Sequence, residues 1–200
     1  MKTHQLTPIQ RYSTTAIVLH WVLGLAIVGS FCMGLYMADL PFSPQRLKLY
    51  NWHKWAGICI LSLSALRLLW RLTHRPPADV PMPAWQQRAA HAVHGLLYLL
   101  FFAVPLVGWA YSSAAGFPIV LFGVLPLPDF VQPDRDLAEA IKPLHGTLAW
   151  ALAGAMPAAA DDRPFLATWR AARVDPTKEV RLGMYATHYS IMENANDLCR

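Results

Sequence analysis

Three apolar stretches, each about as long as a bilayer is thick, restrict this chain more than any other feature. The first, Ala16 to Met37, reads AIVLHWVLGLAIVGSFCMGLYM and carries no formal charge. A helix needs roughly 20 such residues to cross the hydrocarbon core. Spans of this kind are helices, because lipid leaves a backbone N–H or C=O no partner outside its own segment. A second span is predicted from Trp52 to Trp70, with Lys54 and Arg67 near its ends, where long cations snorkel to the interface. A third is predicted from Ala92 to Ser112, kinked at Pro105. The composition agrees: 55% of residues are hydrophobic and 14% charged, against roughly a quarter charged in soluble domains. The net charge of +5 then reads as loop charge that sets orientation, not as a nucleic-acid surface.

The connections are polar or broken by proline. DLPFSPQRLK separates the first two spans, and a proline-rich loop separates the second from the third. Gly116 to Phe130 is apolar but short, and reads as an interfacial or re-entrant loop. QPDRDLAEAIKP then leads into a fourth helix, predicted to start near Pro143. Its apolar part, Leu144 to Met156, covers only about 20 Å, short of the roughly 30 Å hydrocarbon core. Pro157, Asp161, Asp162, Arg163 and Pro164 then end its membrane character. The fold class is therefore all-α: a transmembrane four-helix bundle with three full spans and a truncated fourth helix. The Lys/Arg tally leans towards a cytoplasmic N-terminus: Lys2, Arg11, Arg67, Arg71, Arg75 and Arg88 on one side, Arg46, Lys48, Lys54, Arg135 and Lys142 on the other. Cys32 and Cys59 lie in apolar runs and read as small core residues. No CxxCH motif is present, which argues against a covalently attached haem.

An ionisable residue inside a span is a functional candidate. His20 lies one turn into the first span. With alternating helix directions, His53 and His145 fall at one depth on the opposite, outer side. Two neutral imidazoles facing each other across a bundle can hold a haem iron from both faces. A porphyrin also needs room. Gly24 follows His20 by four residues and Gly57 follows His53 by four, which leaves a bare patch one turn away on the same face. The competing role for each histidine is a hydrogen bond to a neighbouring helix. As a set on three helices, His20, His53 and His145 favour haem ligation. His91 and His94, at the inner end of the third span, read as interfacial or packing residues. The membrane segments offer no carboxylate or thiolate cluster for a divalent-metal site.

RYSTTAIVLHW, WHKWAGICILSLSALRLLWR, HAVHGLLYLLFFAVPLVGW and KPLHGTLAWAL resemble, in order and spacing, the four spans of the bacterial cytochrome b-561 family. That family is related to the cytochrome b subunits of nickel hydrogenases and formate dehydrogenases. The likeness runs from about Gln10 to Gly154. It implies a b-type cytochrome of the bacterial inner membrane, multi-pass and quinone-linked, that carries electrons in a respiratory chain. It implies a second redox partner, and a homodimer is compatible with it. By position, His53 and His145 would ligate an outer haem b and His20 an inner one. Arg11 and Arg67 would meet haem propionates through forked pairing; the competing role for both is positive-inside charge. In the family pattern a second histidine follows thirteen or fourteen residues after the first on the fourth helix. Ala158 and Ala159 stand there, and the next histidine is His188.

The expected organisation is a haem-binding unit over 10–156 and an atypical tail over 157–200, from an out-of-frame or recombined reading or from divergence. Within that tail, RPFLATWRAARV has the pattern of a short basic amphipathic helix. One haem b is expected and a second is in doubt. The alternatives are a haem-free anchor subunit of a redox complex and a non-functional truncated form.

Overall fold

The computed structural model describes residues 13–74 and 83–159. Arg11, the tail beyond Ala159 and its amphipathic segment lie outside the described residues, as do His4 and His188. Four helices occur in chain order: α1 (Thr14–Asp39), α2 (Pro44–Thr73), α3 (Ala84–Ala114) and α4 (Arg135–Ala159). The first three are long and apolar enough to cross a membrane.

Each helix extends past the apolar run that announces it, and the caps explain how. Ser43 accepts a hydrogen bond from Arg46 N at 3.2 Å, so α2 begins at Pro44, two turns before Trp52. Proline suits the first turn, where its missing N–H has no intrahelical partner to lose. Asp134 Oδ1 accepts from Leu137 N at 3.0 Å. This N-cap starts α4 at Arg135, not near Pro143 as the sequence suggests. The polar segment RDLAEAIK is thus the first two turns of α4 and leaves the apolar part short.

α1 packs on α2, α2 on α3 and α3 on α4, while α1 and α4 scarcely touch. The core where they converge is aliphatic and aromatic: Leu23, Ile27, Ile60, Leu97, Leu100, Phe101 and Leu152. Large apolar side chains elsewhere on the helices stay exposed, among them Val18, Leu25, Leu69 and Leu99. In water such a surface would drive association; in a bilayer it faces lipid. Cys32 belongs to this exposed set and Cys59 is half-buried. Cys32 is therefore not the core residue its apolar surroundings suggest: it lies on the outward face of α1.

The segment between α3 and α4 is ordered. Val120–Leu121 (β1) pairs antiparallel with Leu125–Pro126 (β2). Phe122 and Gly123 make the turn with φ of 52° and 75°, the left-handed pair that hairpin turns require. Trp55 Nε1 donates to Val120 O at 2.7 Å and Lys54 Nζ donates to Phe117 O at 3.0 Å. Ser113 Oγ donates to Asp129 at 2.7 Å. The hairpin is thereby tied to the stretch of α2 that carries His53.

Candidate functional site

α2 and α4 run in the same direction, and their histidines occupy equivalent levels. The His53 and His145 ring centroids lie 6.1 Å apart with the planes at 89°. Each ring rests on a different neighbouring helix. His53 Nδ1 is 3.2 Å from Ser30 Oγ on α1. His145 Nδ1 donates to the carbonyl of Val104 on α3 at 3.1 Å. Because a carbonyl only accepts, Nδ1 carries the hydrogen and the lone pair of the neutral ring is left on Nε2, the arrangement a metal-binding imidazole uses.

Two glycines make these close approaches possible. A Cβ at Gly108 would stand 2.9 Å from His145 Cε1 and 3.1 Å from its Nδ1. A Cβ at Gly34 would stand 3.3 Å from His53 Cε1. Gly34 lies four residues after Ser30, and Gly108 four after Val104. Each seat is therefore a hydrogen-bonding group with a bare backbone one turn on, both on one helix face. The four residues that build the seats are not evident from the histidines' own helices. Ser30 and Gly34 do form a small-xxx-small pattern, the usual mark of close helix approach in membranes.

Beside the pair lies a cavity of about 420 Å³, within the range of cofactor pockets. Ile27, Phe31, Ile60, Phe101 and Leu152 give it apolar walls. It occupies the space where α1 and α4 fail to pack, and Phe31 meets Trp150 edge-on across that gap at 5.0 Å. Gly57, four residues after His53, opens into it, and no atom would lie within 4 Å of a Cβ there. Gly24 has the same clearance but does not line this cavity.

The donor set fits a haem. A metal–nitrogen bond of about 2 Å puts a metal roughly 3 Å from an imidazole centroid, so two imidazoles sharing a metal stand about 6 Å apart, as these do. Among the described residues no three His, Cys, Asp or Glu side chains converge. The pair therefore lacks the further protein donors of a tetrahedral site, and a macrocycle brings its own.

The other sequence candidates lie at the opposite end. His20 is half-buried and meets Trp21 edge-on at 5.6 Å. Arg67 and His94 lie within electrostatic reach of it. Arg67 also sits 6.0 Å over the Tyr98 ring, with Arg71 at 5.7 Å. His94 Nδ1 donates to Ala90 O at 3.1 Å, and His91 is exposed. His20 is therefore not brought to the His53–His145 pair.

Comparison with known proteins places the chain in a family. The family described as prokaryotic cytochrome b561 matches residues 11–158, a range that ends where the composition changes. Cytochrome b561 homolog 2 of Escherichia coli (strain K12) is 33% identical over 145 residues, 72% of this chain and 77% of that protein. Cytochrome b561 homolog 1 of the same organism is 33% identical over 145 residues, 70% of this chain and 81% of its own. A protein named probable superoxide oxidase CybB, from Yersinia pestis, is 32% identical over 142 residues, 70% of this chain and 79% of that one. With its three membrane-spanning helices and the extent of these matches, the chain belongs to the prokaryotic cytochrome b561 family of bacterial membrane b-type cytochromes that transfer electrons.

Proposed function

We propose that this chain carries electrons through one low-spin b-type haem held by His53 and His145 near the outer face of the inner membrane. The N-terminus is cytoplasmic in this reading, and a membrane quinone is one of the redox partners. The observation that carries the proposal is the His53–His145 pair at 6.1 Å beside a cavity of about 420 Å³. A haem bound there supplies a one-electron iron couple.

The residues do the rest. His53 and His145 are the residues that would hold the haem iron between them, which suits electron transfer rather than oxygen chemistry. Ser30 and the Val104 carbonyl fix the two ring orientations, and Gly34 and Gly108 let the rings approach. The apolar walls exclude water, which lowers the local dielectric and so tunes the couple. In this reading both haem ligands, His53 and His145, belong to the unit spanning 10–156.

The inner end is a half-site. His20 offers one imidazole and Arg67 one guanidinium suited to a carboxylate, with Arg11 the candidate second cation. Ala158 and Ala159 stand where the family pattern has the opposing histidine. The stoichiometry is therefore one haem per chain. The quinone link rests on the family resemblance, and the name of the Yersinia relative makes superoxide a candidate electron donor. The purified chain is expected to show a low-spin Soret band and about one haem by pyridine haemochrome. Two low-spin haems would contradict the half-site, and a colourless protein would leave a haem-free anchor.

A further inference from the structure

The two ligand seats share a plan but differ in the acceptor they offer. His145 meets a backbone carbonyl, held by its own helix and able only to accept. His53 meets the side-chain hydroxyl of Ser30, 23 residues away in sequence. This serine lies within an apolar run, AIVGSF. A hydroxyl in a membrane helix often bonds back to the carbonyl one turn earlier, yet this one reaches the ring on α2. Ser30 also lines the cavity, one turn before the glycine that clears the same ring.

We infer that Ser30 is a positioning residue that sets the redox potential of the bound haem through His53; this rests on the function proposed above. With iron on Nε2, Nδ1 of His53 carries the proton and donates it to Ser30 Oγ. Donation to an acceptor makes the imidazole a stronger base towards the metal. A stronger base favours the ferric over the ferrous state and lowers the potential. Removing the hydroxyl weakens that bias, so the potential rises. Val104 cannot be changed in this way, because its acceptor is main chain. Ser30 is thus the adjustable half of the pair.

The test uses the full-length chain in detergent, with haem content, low-spin ferric EPR and midpoint potential measured on each variant. Ser30→Ala is expected to retain the low-spin haem while shifting its equilibrium with a fixed redox couple about tenfold towards the reduced form, ~59 mV for one electron. Ser30→Thr, which restores a hydroxyl, is expected to return the wild-type potential. If Ser30→Ala loses the haem, Ser30→Cys replaces it, since the thiol fills the same space as a poor acceptor, and the potential is again expected to rise. A haem-loaded Ala or Cys variant with the wild-type potential overturns this inference alone. A wild-type chain without haem overturns the proposed function and this inference together.

Discussion

Among the described residues, one end of this bundle brings two histidines together, whereas the other places His20 beside a tryptophan and an arginine. At the His53–His145 end each imidazole meets a hydrogen-bonding group and a glycine on another helix, and the two rings converge beside a cavity. At the other end His20 meets Trp21 of its own helix edge-on, with Arg67 within electrostatic reach. Bringing two imidazoles together at one level takes a hydrogen-bonding group and a bare glycine backbone on each adjoining helix.

The comparison can be broken most severely by removing the outer rings. His53→Ala or His145→Ala is expected to abolish the low-spin Soret band, because a single imidazole would remain to hold the haem. An absorption spectrum of the detergent-extracted variant checks it. Next in size is Gly108→Ala. A methyl 2.9 Å from a ring carbon must displace His145, so haem content is expected to fall several-fold. Gly34→Ala, with its 3.3 Å contact, asks for a shift of only a few tenths of an ångström and is expected to retain most of the haem. Equal losses in the two variants would show that the seats do not act through ring clearance.

His20→Ala sharpens the contrast from the other end. It is expected to leave the Soret intensity and haem content of the outer site unchanged, as read from the same spectra. The smallest effect belongs to Asp134→Ala, which removes the cap of α4 at a cost of about 1 kcal/mol. It is expected to lower the thermal midpoint by a few degrees without changing the spectrum.

Much of this was legible from residue patterns, for a physical reason. A bilayer demands an uninterrupted apolar run, so α1, α2 and α3 announce themselves. The equal depth of His53 and His145 follows from alternating helix direction. The helix ends were less legible, because capping by Ser43 and Asp134 carries α2 and α4 into polar sequence that hydropathy does not mark. The hairpin at Val120–Pro126 was missed as structure, since its turn places a phenylalanine at positive φ, where glycine or asparagine is the usual signal. The seats were hidden for another reason. Gly34 and Gly108 serve rings on other helices, so spacing measured along the histidine's own helix points instead to Gly24 and Gly57. Ser30 and Gly34 left a trace in their small-xxx-small spacing, whereas the Val104 carbonyl is invisible in any sequence.

The most direct measurement is the haem-to-protein ratio of the wild type, His53→Ala and His20→Ala, prepared side by side with reduced-minus-oxidised spectra. About one low-spin haem is expected in the wild type, none in His53→Ala and an undiminished signal in His20→Ala. A His53→Ala protein that keeps the wild-type spectrum, or a His20→Ala protein that loses it, would contradict the assignment of the cofactor to the outer pair.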